Sequence, residues 1–324
     1  MKTIQPTFSE FRRLAKQGNV IPVFKPVMAD TLTPVSAYLR MAEGQPYSFI
    51  LESVEGGETL GRYTFLGVNP FMVVHSQGSH ITIERGRKKA KTTGNIFEVF
   101  RDLAQPYRPV PVPGIPPFSA GAVGYLSYET VRQLEKLPEN TRGDVELDDA
   151  QLMYFTDLLA VDHARHQIMI IANVLTEEGS GSLEQKYRAA VRRVKKMERG
   201  LKQPVRSEQP RRARQGERLL VSSNLTRSQF IQNVKKAKEY IRAGDVFQVV
   251  VSQRLKFPLR VPPFDIYRAL RTINPSPYLY YLQMGDVQVV GSSPEMLVKV
   301  TDKQVDYRPI AGTRPRGKTE EEDR

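Results

Sequence analysis

Gly312-Thr313-Arg314-Pro315-Arg316-Gly317 brings two guanidinium groups, a hydroxyl and two glycines into six residues. Arg forks pair bidentately with planar anions, glycine lets main-chain N–H groups approach closely, and Pro315 stiffens the loop, so the stretch suits a carboxylate or a phosphate. Taken alone it describes an exposed basic turn at least as well, because no acid, base or nucleophile stands beside it. Composition narrows the remaining chemistry. The chain has no Cys, which removes disulfides, thiolate metal sites and Cys nucleophiles together, and its four His are scattered without metal-cage spacing. Any metal must therefore be held by oxygen. Neither a Walker loop nor a Gly-x-Gly-x-x-Gly occurs, so nucleotide binding has no local support.

The net charge of +13 is concentrated: residues 186–218 hold thirteen Lys or Arg against three Glu, which is +10 of the total. The second half of that segment, 200–216, is rich in Pro, Gln and Arg and reads as a solvated linker. No aromatic residue is interleaved with the basic run between Arg188 and Arg218, so nucleic-acid binding is not expected. The N-terminus lacks the apolar core of a signal peptide and no apolar stretch is long enough to span a bilayer. A soluble, cytoplasmic protein with no membrane partner is the expectation.

The elements that must position any site follow from periodicity and caps. Thr7-x-x-Glu10 is a capping box ahead of a face made by Phe8, Phe11, Leu14 and Ala15, and Thr33-Pro34 opens a second helix. Residues 47–53 read as a strand, and 61–85 as short strands punctuated by Gly67, Asn69-Pro70, Gly78 and Gly86. Between Leu152 and Leu175, two apolar runs flank Asp162-His163-Ala164-Arg165-His166, the pattern of a hairpin whose His163 and His166 sit on the solvent side. Thr226-x-x-Gln229 starts a helix striped by Phe230, Val234, Ala237 and Ile241 and stopped at Gly244. The β-branched run 246–255 then predicts a buried strand, followed by a helix over 264–272 and a Pro-rich turn at 274–277. Strands and helices mix without regular βαβ alternation, so the fold class is α+β.

The chain resembles the chorismate-binding enzymes, the family that includes anthranilate synthase, aminodeoxychorismate synthase and isochorismate synthase. The resemblance rests on Ile50-Leu51-Glu52-Ser53, Gly61-Arg62-Tyr63-Thr64-Phe65-Leu66-Gly67, residues 121–129, Gly244-Asp245-Val246-Phe247-Gln248-Val249-Val250, residues 274–281, Gly291-Ser292-Ser293-Pro294-Glu295 and 309–317, in the family's order. It implies mostly antiparallel sheets forming a β-sandwich flanked by helices, with an N-terminal domain over 1–199, a basic linker over 200–217 and the first part of a catalytic domain over 218–324. Ala311, Gly312, Thr313 and Arg314 are implied to bind chorismate, and Thr313, Gln248 and Glu295 to take part in catalysis. Isochorismate-forming members carry a Lys where Gln248 stands, and an amide cannot take a proton from water. Aminodeoxychorismate synthases typically carry a nucleophilic Lys where Ala311 stands. The pair of uncharged residues therefore resembles the anthranilate synthase pattern, in which ammonia from a glutamine amidotransferase subunit adds to the ring with Mg²⁺ as cofactor.

The same resemblance implies a feedback site for tryptophan at Leu51, Glu52 and Ser53 together with Pro277, Tyr278 and Leu279. A carboxylate such as Glu52 suits an ammonium group and apolar neighbours suit an indole; the local alternatives are a strand end and a plain turn. The family's Glu-rich Mg²⁺-binding helix, a His acid and later Arg and Gly loops are not found before Arg324, so the metal ligands are expected beyond it and the 324 residues are expected to be inactive alone. Two other readings stay open: a non-catalytic tryptophan-binding or partner-binding fragment, and an aminodeoxychorismate synthase.

Overall fold

Four helices begin with the same local device. At Thr7, Thr33, Ser182 and Thr226 the cap hydroxyl accepts the backbone N–H three residues on, and that residue's side chain accepts from the cap N–H in return. Each box satisfies two of the four amide donors a helix start leaves open. The computed structural model describes residues 3–53, 61–138, 143, 145–205, 220–307 and 317–323. In chain order the elements are α1 (Phe8–Leu14), β1 (Val20–Met28), α2 (Pro34–Ala42), β2 (Tyr47–Glu52), β3 (Tyr63–Val68), β4 (Met72–Gln77), β5 (His80–Arg85), β6 (Lys88–Thr93), α3 (Ile96–Ala104), β7 (Gly121–Leu126), β8 (Ala150–Phe155), β9 (Asp157–Asp162), β10 (Gln167–Leu175) and α4 (Leu183–Leu201). There follow β11 (Ser222–Ser223), α5 (Arg227–Ala243), β12 (Leu255–Lys256), α6 (Pro263–Ile273), β13 (Tyr278–Met284), β14 (Val287–Ser293), β15 (Lys299–Thr301) and β16 (Gln304–Asp306).

The chain divides into two compact units, Met1–Pro210 with Tyr267–Ser293, and Arg211–Ile266 with Pro294–Arg324. The first unit is built on two antiparallel sheets, one of seven strands in the order β1-β10-β9-β3-β2-β13-β14 and one of five in the order β6-β5-β4-β8-β7. They face each other across a core in which Phe49, Leu158, Leu282 and Met284 of the larger sheet pack against Val73, Val123, Met153 and Phe155 of the smaller. The Phe49 and Phe155 rings meet edge-on at 4.8 Å. Helices cover the outer faces: α3 lays Ile96, Phe97 and Phe100 on Met72, Val74, Ile81 and Tyr154, while α4 packs on β10 and β1. The helix buries Ala190, Val194, Met197 and Leu201, which recur at helical spacing along one stripe. This is the α+β sandwich flanked by helices that the sequence implies.

Half of the basic segment belongs to α4, where charge is tied to the scaffold. Lys186 donates to Thr176 O at 2.7 Å, and Arg193 pairs with Asp157 and donates to Asn173 O. Glu198 on the same helix takes Lys25 of β1 at 2.8 Å. Residues 206–219 of the expected linker lie outside the described residues. No helix among the described residues is long and apolar enough to cross a membrane.

Three expectations need correction. The apolar stretch after Leu152 is not one hairpin arm: β8 ends at Phe155 in the smaller sheet, and β9 begins at Asp157 in the larger. A strand that changes sheets must bend, and apolar content on both sides of Thr156 hides the corner. His163 is half-buried and bonded to Thr64, whereas His166 is exposed as expected. The run 246–255 is not a buried strand: only Leu255–Lys256 pairs, with Ser222–Ser223, while Phe247 and Val250 are 89% and 83% exposed. A strand exists only where a neighbour takes up its backbone groups: Asn224 does so for Arg254 beside β12, but no strand among the described residues pairs with 246–253. Helix α5 forms as expected, yet its Phe230–Ile241 stripe buries no residue among those described.

Two motif glycines are required by close approach. A Cβ at Gly67 would sit 2.3 Å from the Phe49 ring, and one at Gly124 would sit 1.8 Å from the Gln151 carbonyl oxygen on β8. The second contact is with backbone and cannot be relieved by a rotamer change. Gly124→Ala is expected to lower stability by about 2 kcal/mol or more in urea unfolding, whereas Gly143→Ala, with open space around it, should stay within about 0.5 kcal/mol of the parent; equal midpoints for the two variants would contradict the packing described.

Candidate functional site

The two halves of the expected effector site, more than two hundred positions apart in the chain, meet as neighbouring strands. β13 pairs antiparallel with β2 so that Leu279 lies opposite Glu52 and Tyr280 opposite Leu51. On the other side of β2, Glu52 lies opposite Thr64 of β3. Alternation along a strand then decides the faces. Leu51 points to the sandwich core with Phe49, while Ser48, Ile50 and Glu52 point to the helix-covered face. Ser53 and Pro277 sit just beyond the paired ends, and Tyr278 is the first residue of β13, opposite Ser293 of β14.

Glu52 is 6% exposed, an unusual place for a carboxylate. Its Oε1 accepts from Arg271 Nε at 2.7 Å, while its Oε2 is buried and has no hydrogen-bond partner among the described residues. Arg271 reaches it from the last turn of α6, one turn beyond Tyr267, which is wholly buried and tilts on Tyr281 with ring centroids 6.1 Å apart. Tyr281 in turn meets Tyr38 of α2 edge-on, and Tyr38 shares a 2.6 Å hydrogen bond with Ser48. Burial pushes the phenol pKa values of Tyr38 and Tyr267 up, so both rings are neutral packing groups. The turn after α6 is clamped: Ser292 donates to Asn274 O at 2.7 Å and receives Asn274 Nδ2 at 3.3 Å, so the chain passes through Pro275-Ser276-Pro277 straight into β13.

A second layer of charge stands beside this pair. His163 shares a 2.8 Å hydrogen bond with Thr64, and its backbone N–H donates to Arg62 O. Arg62 in turn grips Asp162 with two contacts, at 3.0 and 3.3 Å. Burial lowers the His163 pKa, Glu52 and Asp162 oppose that, and Arg271 and His166 reinforce it. Sequence reasoning singled out Glu52 but passed over Arg271, Tyr267 and the inward turn of His163. The only local trace was the four-residue spacing of Tyr267 and Arg271 on a predicted helix.

The other expected site residues are Gln248, Glu295 and Ala311, Gly312, Thr313 and Arg314. Gln248 is exposed in the unpaired stretch before β12, and Glu295 is half-buried in irregular chain after β14. Ala311, Gly312, Thr313 and Arg314 lie outside the described residues. Among the described residues, no three His, Asp or Glu converge to hold a metal ion.

A family model described as chorismate binding enzyme matches residues 46–324. The chain is 43% identical to anthranilate synthase component 1 of Acetivibrio thermocellus, over 98% of this chain and 65% of that protein. It is 42% identical to the protein of the same name from Synechocystis sp., over 99% of this chain and 66% of the other. Among solved structures, anthranilate synthase component I from Streptococcus pneumoniae TIGR4 superposes with a TM-score of 0.63 at 25% identity, covering 85% of this chain and 59% of that one. The chain thus spans about two thirds of the length of these curated relatives.

The lowered His163 pKa carries a sign for stability. The folded state favours the neutral ring, so its contribution is fully present above the unfolded value of about 6.5 and is lost as pH falls through the lower folded value. Thermal unfolding midpoints are expected to fall between pH 7.5 and 5.5, and His163→Asn should flatten that slope. An unchanged slope in the variant would remove His163 as its source.

Proposed function

This chain belongs to the chorismate binding enzymes, and from that premise we propose that the protein acts as component I of anthranilate synthase. In this reaction ammonia adds to the chorismate ring, the ring hydroxyl leaves as water, and the enolpyruvyl group departs as pyruvate while the ring becomes aromatic. The observation that carries the reading is the likeness to two proteins named component 1 across almost the whole chain. Gln248 and Ala311 support it chemically: neither can act as the base or the amine nucleophile of the sister reactions, and ammonia needs no base to become a nucleophile. Ala311, Gly312, Thr313 and Arg314 are proposed as one wall of the chorismate pocket. In it Arg314 would receive a carboxylate, Thr313 would place its hydroxyl against the substrate, and Glu295 would stand at the pocket edge. A glutamine amidotransferase subunit supplying ammonia, Mg²⁺ as cofactor, a cytoplasmic location and the domain limits 1–199, 200–217 and 218–324 belong to the same proposal. The described residues offer no metal cage, so no step is assigned to Mg²⁺.

Tryptophan is proposed as the feedback ligand of the Glu52 site. What supports this is the pairing of β2 with β13, which sets Leu51, Glu52 and Ser53 beside Tyr278 and Leu279, with Pro277 at the edge. The buried carboxylate suits an α-ammonium, and the surrounding aliphatic and aromatic side chains suit an indole.

A chain that carries these residues together with the metal ligands expected after them should, when incubated with chorismate, ammonium chloride and Mg²⁺, form fluorescent anthranilate and equimolar pyruvate, and stop when EDTA is added. A non-aromatic amino product without pyruvate would favour the aminodeoxychorismate reading instead. Arg314→Ala should raise KM for chorismate about tenfold or more, with a smaller change in kcat. Calorimetry should show tryptophan binding that Glu52→Ala weakens at least about tenfold with the fold intact; unchanged affinity would reject the site.

A further inference from the structure

Two places where the chain changes sheets lie side by side. β3 of the larger sheet passes to β4 of the smaller through Asn69, whose φ is +55°, and β8 of the smaller passes to β9 of the larger through Thr156. Phe71 N donates to Tyr154 O and Asn173 N to Thr156 O, so the two corners are tied to each other's strands and to β10. Strands switch sheets through bends, which leave space at the edge of the layers. Helices α2 and α4 border that space, and the result is a cleft of about 730 Å³ within the first unit, none of whose lining residues belongs to the Glu52 site. Its α4 wall is one helical stripe: Lys186, Ala189, Arg193, Lys196 and Gly200 recur at alternating three- and four-residue spacing. A Cβ at Gly200 would sit 2.7 Å from the Met41 sulfur, so α2 and α4 meet at that end.

Both carboxylates of the lining are already matched. Asp157 takes Arg193 Nε with its two oxygens, at 3.0 and 2.9 Å, and Glu178 accepts from Tyr107 Oη at 2.5 Å and from Arg85 at 3.2 Å. Three cations of the lining are not. Arg40 donates Nε to Gln203 O, Lys186 donates to Thr176 O, Lys196 is exposed, and none of the three has an acidic partner among the described residues. Arg40 Nη1 is moreover buried with no hydrogen-bond partner among the described residues, a costly state for a guanidinium. Uncompensated positive charge along a cleft with low-dielectric walls draws anions into it. Apolar Val68, Phe71, Val174 and Leu175 complete the lining opposite this charge in chemistry.

We infer that this cleft is a binding site for an organic anion carrying two negative charges, its charged groups taken by Arg40, Lys186 and Lys196 and its carbon body by Val68, Phe71 and Val174. None of these residues is among those assigned to chorismate or tryptophan, so the inference stands independently of the anthranilate synthase reading. Charge and surface together set the class. A neutral molecule would leave the three cations uncompensated, and inorganic phosphate would meet them without using the apolar wall. A doubly charged group on an apolar body uses both halves of the lining.

The test is titration of the protein with phenyl phosphate, benzoate, benzyl alcohol and inorganic phosphate, read by NMR of ¹³C-methyl-labelled methionines. Met41 and Met197 line the cleft, whereas Met153 and Met284 lie in the sandwich core. Phenyl phosphate is expected to shift the Met41 and Met197 signals and leave those of Met153 and Met284 in place. It should bind about fivefold or more tighter than benzoate or inorganic phosphate, with benzyl alcohol weakest. Lys196→Gln should weaken phenyl phosphate about threefold or more, and Arg40→Gln further. Lys196 is exposed, so its variant decides the point even if circular dichroism shows that Arg40→Gln unfolds. If phenyl phosphate leaves Met41 and Met197 unmoved, or Lys196→Gln binds it as the parent does, the cleft is not the anion site inferred. If inorganic phosphate binds as tightly as phenyl phosphate, the apolar wall takes no part and the organic class is wrong.

Discussion

The antiparallel seam between β2 and β13 is the contact on which the rest of the first unit depends. It returns residues that follow the basic segment to a sheet begun near the N-terminus, and six backbone pairs from Tyr47–Met284 to Glu52–Leu279 hold them there. At the end of that seam the Arg271–Glu52 ion pair spans 219 positions of sequence. Removing either partner would strand the other charge in a low-dielectric place, which costs far more than an exposed salt bridge contributes. The ion pair therefore gives the seam a fixed register. A slip of one residue would turn Glu52 into the sandwich core and Leu51 towards Arg271.

The two faces of β2 give one strand both an apolar packing side and a side that carries a buried ion pair. Tyr47, Phe49 and Leu51 face the core between the two sheets, where they pack with Phe118, Phe155 and Leu282. Ser48, Ile50 and Glu52 face α2 and α6, where Tyr38, Tyr281 and Tyr267 form a chain of tilted rings ending at the carboxylate. The rings pack beside the buried Glu52 carboxylate and hold α6 in place, so the helix presents Arg271 at one position. Aromatic packing and ion pairing are thus a single arrangement, in which hydrophobic burial raises the cost of an unbalanced charge.

The basic excess that dominates the composition turns out to be a property of one helix face and the segment after it. Along α4, Lys186 and Arg193 are bonded to carbonyls or carboxylates of the scaffold, and Arg188 pairs with Glu184. Lys186 and Arg193 fasten the helix to the sheet beneath it, whereas the Arg188–Glu184 pair stays within the helix. Exposed pairs of this kind contribute little individually, and the buried stripe from Ala190 to Leu201 supplies most of the attachment.

Local rules decided several elements whose signal lies within a few residues: the capping boxes at Thr7 and Thr226, the helix start at Thr33-Pro34, the α6 helix before Asn274-Pro275, the hairpin turn at 163–166 and the strand ending at Glu52 were legible, because caps, turns and periodicity are short-range interactions, whereas the equally local box at Ser182 was passed over inside the basic segment. Motif order likewise pointed to the family and to Glu52 with Leu279. What could not be read was anything settled by a partner far away in the chain. The corner at Thr156 depends on which sheet each half joins, and the apolar run after Gly244 is no strand without a neighbour to take its hydrogen bonds. His163 faces inward only because Thr64 is there. Arg271 looks like any surface Arg at the end of a helix until the β2–β13 register sets it against a buried carboxylate, and only that three-dimensional pairing converts an ordinary charge into a fixed ion pair.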